Sequence, residues 1–505
     1  MFTYIADSDI MMVLEGNMTQ EDIIKLLEEQ NCVVKTSVYE KNKNLEILDI
    51  TYDSRTCTKN SAFFAKGMNF KREYVLDAVK NGAILVITEK EYEAVEAGII
   101  VVKDIRKAMV VVAEKYFGQA YNNIKMIGLT GTKGKTTTAT YIHNILNAYT
   151  KKRTGLLSTV ETYTGKRKEE SHLSTPEAIE LQRYIKEAYE ADLKYLTMEV
   201  SSQAIKAQRI KNMTFDIGIF LNISEDHISP AEHPNFNDYL NCKLEFLKKC
   251  NTVIVNYETD YLEMVLDACK NADKLITYGS EEVKDNVNCY YKDVRREEGY
   301  LKFIIVYNNE EVEYKTKMLG RFNVENAVAA ILAAKELGVL HEDIFSGLEC
   351  TTVSGRMNIF QGKNKTIIVD YAHNKLSFEK FFEAIKIDFP ESDVIALFGA
   401  PGGKAYGRRK DMAQTASKYA TKIYLTADDP QFESVKDICN ELANYITCDY
   451  EIIEDRKEAI YKAYNDMNVN GVLCLLAKGE DRYQQVKGKF EDYESDINIA
   501  RDITR

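Results

Sequence analysis

The chain has 505 residues, too many for one hydrophobic core, so two to four domains are expected. A hydrophobic content of 45% and a charged content of 29% are those of a soluble globular protein, and the net charge of −12 argues against a general nucleic-acid binder, because no cationic surplus exists to neutralise phosphates. Ten cysteines without a CxxC pair or a Cys/His cluster argue against zinc and disulfide frameworks and for buried thiols in a reducing compartment.

The opening "MFTYIADSDIMMVLEGNMTQ" lacks the basic, apolar and small-residue order of a signal peptide, and no stretch is apolar enough to span a bilayer. A cytoplasmic protein without membrane contact is expected. The first block, 1–121, carries short strands and helices in "LEILDITYDSR" and "FKREYVLDAVKNGAILVIT", then a helix over Ile105 to Phe117 and a polar joint over Gln119 to Asn123.

The second block, 122–352, opens on a strand at Met126 to Leu129, a loop Thr130-Gly131-Thr132-Lys133-Gly134-Lys135-Thr136-Thr137, and a helix with apolar residues at Tyr141, Ile142, Ile145 and Leu146. Strand, glycine-rich loop, Lys-Thr and helix in that order form a phosphate cradle. Gly131 and Gly134 let successive N–H groups point at one anion, Lys135 adds a full positive charge, and Thr136 is placed to ligate the magnesium that accompanies a nucleotide triphosphate. Further strands at "LKYLTMEV", "FDIGIFLNI" and "TVIVNY" alternate with helices, the pattern of a parallel sheet with both faces covered. Glu199 and His227 each follow such a strand and so reach the edge that holds the loop, which with Thr136 makes them candidate magnesium ligands. Lys243 lies on a helix in "NFNDYLNCKLEFL"; a β-rich excursion from Asn288 to Gly320 then precedes a helix at Asn323 to Leu337.

The third block, 353–505, alternates again: "TIIVDYA", a helix over Phe378 to Ile387, "VIALFG", "KIYLTAD" and "GVLCLLA" are separated by helices, a second α/β unit. It offers Arg356, Asp370 at a strand end where an acid often bonds a ribose, His373, and a Gly-Gly-Lys segment followed by Arg408 and Arg409.

The ordered set "GTKGKTTT", "STPE", "MEVSSQAIKAQRI", "NISEDH", "YLNCKLEFL", "LGRFNVENAVAA", "SGRM", "DYAH" and "AKGEDRYQ" resembles the Mur ligases, the ATP-dependent amino-acid-adding enzymes of bacterial cell-wall precursor synthesis. Within that family it is most similar to those that add the third residue to UDP-N-acetylmuramoyl-dipeptide. The resemblance covers nearly the whole chain and implies an α/β protein of three domains: an N-terminal UDP-sugar-binding one (1–121), a central P-loop ATPase with a mostly parallel sheet (122–352), and a C-terminal Rossmann-like one that brings the amino acid (353–505).

Carried over residue by residue, the resemblance implies that Ser54 and Arg55 contact the UDP-sugar and that Ser174, Thr175, Ser202 and Arg209 hold the muramoyl-peptide. It implies that Gly131 to Thr137 bind ATP with Asn323, Asn326, Arg356 and Asp370, and that Lys243 is carbamylated so as to ligate a second magnesium beside Thr136, Glu199 and His227. Lys135, Lys243, His227, Glu199 and His373 are the expected catalytic set. The activity implied is phosphorylation of a peptide carboxylate by ATP, followed by attack of an amine, with the C-terminal domain closing over the nucleotide in a monomer.

Where diaminopimelate-adding members carry Asp-Asn-Pro-Arg, this chain reads Asp428-Asp429-Pro430-Gln431, and it carries Glu480-Asp481 after Lys478-Gly479 where the family has His-Glu. Loss of the arginine fork and gain of acid suit a cationic side-chain end, so L-lysine is expected over diaminopimelate, with an ornithine-adding or folylpolyglutamate synthetase-like ligase as alternatives. Lys375 stands where proline is usual, and Gln203 and Ala207 stand where histidine and glutamine are usual. A nucleotide-driven switch is the rival from another class.

Overall fold

The computed structural model describes residues 18–67, 70–92, 95–171, 173–226, 228–229, 232–403 and 406–505. Three α/β layers follow one another along the chain. The first is a five-stranded sheet in the order Val33–Ser37, Gly98–Val102, Ala83–Thr88, Ser61–Ala65, Asp49–Thr51, in which only the Val33–Ser37 pairing is antiparallel. Its inner strands are buried along their whole length, as strands covered on both faces must be.

The second layer is an eleven-stranded sheet. Its parallel centre runs Thr154–Leu157, Tyr195–Glu199, Lys125–Thr130, Phe215–Phe220, Cys250–Asn256, Lys274–Ser280 and Cys289–Glu297. The β-rich excursion read in the sequence continues this same sheet as the antiparallel strands Cys289–Glu297, Tyr300–Tyr307 and Glu310–Thr316. At the other edge a hairpin of Glu161–Tyr163 and Lys168–Glu170, which the sequence reading did not anticipate, closes the sheet antiparallel. These strands have three residues each, too few to reveal a period of two.

The helix Lys135–Thr150 starts at Gly134, whose φ of 85° is a left-handed value that favours glycine. Its stripe of Tyr141, Ile142, Ile145 and Leu146 is fully buried, facing the helices Arg321–Glu336 and His341–Cys350. The approach is close: a Cβ on Gly347 would lie 2.4 Å from Cα of Ile145, so only glycine fits there. The helix Arg321–Glu336 is buried on nearly every side and supplies small residues, Ala327, Ala329, Ala330, Ala333 and Ala334, at the contact.

The third layer is a six-stranded sheet in the order Asn358–Gly362, Lys365–Asp370, Val472–Leu476, Val394–Phe398, Lys422–Leu425, Asp449–Ile452, parallel except for the first pair. The helix Lys375–Asp388 opens on a capping box between Asn374 and Ser377. Lys375 occupies its first turn, where the N–H has no intrahelical acceptor, so the loss of the usual proline leaves the helix start intact. Among the described residues no helix is long and apolar enough to cross a membrane.

Candidate functional site

The site is built at the carboxyl edge of the central sheet. Register places Glu199 opposite Leu129 and Thr130 opposite Phe220, so the strand that feeds the phosphate loop and its two neighbours end together. Asn222, just past the neighbouring strand, clamps the loop: its Oδ1 accepts from Lys133 N–H at 2.8 Å and its Nδ2 donates to Lys133 O at 3.1 Å. The Thr132 hydroxyl oxygen accepts from Ser224 N–H at 3.0 Å and shares a hydrogen bond with Tyr239 OH at 3.1 Å. These hydrogen bonds tie the loop to the segment after the neighbouring strand and to the helix Phe236–Leu247.

Its two lysines are held in different ways. Lys135 Nζ curls back to donate to Gly131 O at 2.9 Å and Thr132 O at 3.3 Å, and burial pulls its pKa below the ordinary lysine value against the opposing charges of Glu199 and Asp226. Lys133 Nζ lies 3.4 Å from Asp226 Oδ2, and burial lowers it to about 8. Both ammonium groups lack full compensation, so a polyanion in the loop is stabilised by them and stabilises them in turn.

Lys243 projects from the helix Phe236–Leu247 into the same edge. Its Nζ donates to Gly131 O at 2.8 Å, lies 3.4 Å from Thr130 Oγ1, and stands 4.7 Å over the Tyr239 ring. Burial, then the nearby Lys135 charge, pulls its pKa well below the ordinary value, so the amine is readily neutral. Glu199 is fully buried, and its two oxygens accept from Thr159 N–H at 2.8 Å and Thr159 Oγ1–H at 3.0 Å. Thr136 is buried at the helix start. Thr136 and Glu199 are hard oxygen donors of the kind magnesium takes. His227, the remaining expected ligand, lies outside the described residues.

Asn323 and Asn326 flank the loop from the helix Arg321–Glu336. Asn326 Nδ2 donates to Asn323 Oδ1 at 3.0 Å, and its own Oδ1, 2.3 Å from where a Cβ on Gly134 would sit, leaves no room for a side chain there. From the third layer, Asp370 is buried and accepts from Met357 N–H at 2.9 Å and Ala372 N–H at 2.7 Å. Burial raises its pKa, with Arg356 acting against that rise. The Arg356 guanidinium stands 4.7 Å from the centre of the Tyr371 ring. His373 Nδ1 hydrogen-bonds Tyr371 O at 2.7 Å, and burial together with the Lys133 and Arg408 charges lowers its pKa to about 3. It is a neutral imidazole with Nε2 as the acceptor nitrogen, not a phosphate-binding cation.

Asp226 ties the two layers together: Lys133 Nζ lies at 3.4 Å, Arg408 Nη2 donates at 2.8 Å and Asn374 Nδ2 donates at 3.0 Å. Sequence reading passed over it because one aspartate among the acids of "NISEDH" has no pattern of its own. Arg409, grouped with Arg408 in the sequence, turns inward to Pro401 O, Glu433 and Glu441 and braces the fold.

Beyond Glu199 lies the second group of expected residues. Thr175 Oγ1 donates to Glu199 O at 2.9 Å; Arg209 donates to Thr175 O at 2.9 Å and to Glu177 at 2.5 Å. Ser174 Oγ lies 3.1 Å from Thr159 Oγ1, whose one hydrogen goes to Glu199, so the Ser174 hydroxyl is the donor of that pair, and Ser202 Oγ bonds His233 Nε2 at 2.9 Å. Ser54 and Arg55 are not brought to this cleft. They form a short turn of the first layer, with Arg55 exposed and folded onto Asp53 at 2.6 Å.

The acids Asp428, Asp429 and Asp481 form a cluster of their own, and it is not purely acidic. Lys478, fully buried, stands 2.7 Å from Asp429, 3.4 Å from Asp481 and 3.9 Å from Asp428. One ammonium among three carboxyl groups leaves an acidic surplus. Burial raises Asp428 and lifts Asp481 to about 6. Gln431 turns from the acids to the hairpin Tyr483–Val486/Lys489–Asp492, its N–H donating to Gln485 O at 2.8 Å, because its left-handed φ of 54° aims it there. Glu480 lies 3.6 Å from Arg482 at the rim.

Residues 129–334 match the Mur ligase middle domain, and residues 355–479 match the Mur ligase glutamate ligase domain. The UDP-N-acetylmuramoyl-L-alanyl-D-glutamate–L-lysine ligase of Streptococcus agalactiae is 38% identical over 467 residues, 92% of this chain and 93% of that protein. A solved UDP-N-acetylmuramoyl-L-alanyl-D-glutamate–2,6-diaminopimelate ligase superposes with a TM-score of 0.61 at 21% identity, covering 93% of this chain and 99% of that one. The MurF ligase of Thermotoga maritima in complex with ADP superposes at 0.63 and 18% identity, over 85% of this chain and 93% of that one.

Proposed function

The chain belongs to the Mur ligase family, and from that premise we propose that it joins L-lysine to UDP-N-acetylmuramoyl-L-alanyl-D-glutamate at the cost of ATP, in peptidoglycan precursor synthesis. The observation that carries this reading is the meeting, at one sheet edge, of a preformed phosphate loop, the buried Glu199 and the buried amine of Lys243, faced by Arg356 and Asp370 of the third layer. Residues 1–121 hold the UDP-sugar through Ser54 and Arg55, 122–352 form the ATPase, and 353–505 bring the amino acid.

The chemistry brings two anions together, the triphosphate and the peptide's free carboxylate. Lys135 exchanges its loop carbonyls for the γ-phosphate, and Lys133 adds its charge alongside, so the repulsion is offset in a closed site. The bond from the γ-phosphorus to ADP breaks, and an acyl phosphate forms. The lysine amine attacks its carbonyl, the amide bond forms, and inorganic phosphate leaves with loss of the amine proton. Ser174, Thr175, Ser202 and Arg209 hold the peptide so that this attack is intramolecular in effect. Asn323 and Asn326 border the adenine, while Arg356 and Asp370 contact the nucleotide from the third layer. The neutral His373 serves as an acceptor at the junction of the layers.

Bound magnesium would supply positive charge against the phosphates. Thr136, Glu199 and His227 would hold it, with a carbamate on Lys243 for a second ion. Carbamate formation needs a neutral amine, which adds to CO₂ and releases a proton; the lowered pKa of Lys243 favours that step.

The acidic surplus around Lys478 supports a cationic side-chain end; Asp428, Asp429 and Asp481 are the residues proposed to face it, with Glu480 at the rim and Gln431 bracing the adjoining hairpin. The test is phosphate release with ATP, magnesium and the UDP-muramoyl-dipeptide across a panel of amino acids. L-Lysine is expected to give the highest kcat/KM; faster turnover with diaminopimelate or ornithine overturns the specificity, and phosphate release independent of any amino acid favours a nucleotide switch.

The acid cluster also sets a pH dependence. Asp481 holds its proton up to about pH 6 in the fold and only to about 3.8 when unfolded, so its contribution to stability falls as pH rises from about 4 to 6. Affinity for an ammonium group runs the other way, because only the ionised carboxylate attracts it. The KM for lysine is expected to rise on the order of tenfold as pH falls from 7 to 5, and Asp481→Asn is expected to flatten that profile.

A further inference from the structure

Ser202 belongs to a hydrogen-bonded chain that the reaction as described does not use. Ser202 Oγ lies 2.9 Å from His233 Nε2, and His233 Nδ1 lies 2.7 Å from Asp238 Oδ2. His233 is fully buried and Ser202 nearly so, while Asp238 is about one-third exposed and also accepts from Lys206 Nζ at 2.8 Å. Hydrogen bonds from Lys206 and then His233 hold the Asp238 carboxyl below its usual range, so it is an acceptor only. The proton on the ring must therefore sit on Nδ1. In the neutral imidazole Nε2 is then the acceptor, and the Ser202 hydroxyl donates to it.

We propose that Asp238 and His233 fix the direction of the Ser202 hydroxyl, so that its oxygen meets the bound peptide as an acceptor for an amide N–H and not as a donor to a carboxylate. This deepens the reading above, on which it rests for the placement of Ser202 at the peptide. The three residues come from three segments: Ser202 opens the short helix Ser202–Lys206, His233 lies in the loop before the next helix, and Asp238 is in the first turn of Phe236–Leu247, capped by Asn235 at 2.9 Å. That last helix also carries Tyr239 and Lys243, and the His233 ring packs on Tyr239 at 5.3 Å between centroids. The peptide-side hydrogen bond and the phosphate loop thus share one support. Cys242 Sγ lies within 4.8 Å of the ligand atoms of His233 and Asp238, but both ring nitrogens are committed, to Asp238 and Ser202, which disfavours a metal there.

The test uses the full-length protein and two analogues of the UDP-muramoyl-dipeptide, each with one amide link replaced by an ester so that a single N–H is lost. Wild type is expected to prefer the amide over one of the two esters by about tenfold in KM. Asp238→Asn is made together with Lys206→Met, which removes the ammonium that would otherwise hold the amide oxygen in this place; the side-chain amide then donates to Nδ1, which moves the ring proton to Nε2 and turns the Ser202 hydrogen outward. The preference for the amide is then expected to collapse to within twofold, with kcat and the KM for ATP changed by less than twofold. Asp238→Asn is isosteric, both positions are partly exposed, and an unchanged melting curve separates the effect from misfolding. Retention of the amide preference in this double variant, together with its loss in Ser202→Ala, overturns the relay alone. Retention in both variants overturns the placement of Ser202 at the peptide and with it the underlying reading of this part of the site.

Discussion

Lys243→Ala is expected to lower kcat on the order of a thousandfold, with KM for ATP little changed, and to recover part of that activity when a short carboxylate such as acetate is added. The magnitude follows from position. Lys243 is sealed between Gly131 O, Thr130 and the Tyr239 ring at the edge where the phosphates arrive. An ammonium there is opposed by burial and by Lys135, so an unmodified lysine is costly to keep charged, whereas a carbamate converts it to an anion beside cations. Added carboxylate can fill the space left by the truncated side chain and restore the negative charge. Turnover within tenfold of wild type in Lys243→Ala removes the carbamate proposal; a carbon-13 carbamate signal from protein kept in labelled bicarbonate, lost in the variant, gives an independent readout.

A second large effect is expected far from the chemistry. Arg456→Met should destabilise the third layer by about 3–5 kcal/mol, because it leaves Asp496 buried without its partner. Arg456 and Asp496 are almost fully buried and paired through two nitrogens, at 2.8 and 2.6 Å, and Tyr493 OH donates to the same carboxylate at 2.6 Å. The same guanidinium donates to Ala427 O at 3.2 Å and to Leu476 O at 2.8 Å, the carbonyls one residue before Asp428 and two before Lys478. It therefore fixes the two strand ends that present the acid cluster. Urea unfolding followed by proteolysis within 353–505 is the measurement, with the KM for lysine expected to rise in parallel. The double variant Arg456→Met/Asp496→Leu should recover most of the stability, since no unpaired charge remains. An unshifted midpoint in the single variant would contradict the argument.

Much of this architecture was written in local pattern. The helix Ile105–Phe117 was readable to the residue, because Asp104 caps it and Gly118 ends it in a left-handed conformation. The phosphate loop was readable because strand, glycines, Lys-Thr and helix are contiguous. Glu199 was readable because it ends a strand, and a parallel sheet brings such ends to one edge. The hairpin at Glu161–Glu170 was too short to show a period, and the membership of the antiparallel strands 289–316 in the central sheet depends on pairing that no local pattern encodes.

The site divides along the same line. Sequence alone determined the phosphate loop, the order of the three layers and the carboxylates at strand ends, since each depends on contacts within about a dozen residues or on the regular geometry of alternating strands and helices. Tertiary structure alone decided that Lys243 is buried under the loop, that Asp226 gathers Lys133, Arg408 and Asn374, that Lys478 stands inside the acids, and that Ser202, His233 and Asp238 form a chain. A charge has no intrinsic preference for its sequence neighbours. Its partner and its proton affinity are set by which distant groups the packing brings within a few ångströms and by how much water the packing removes, and neither quantity exists until the layers have closed on one another.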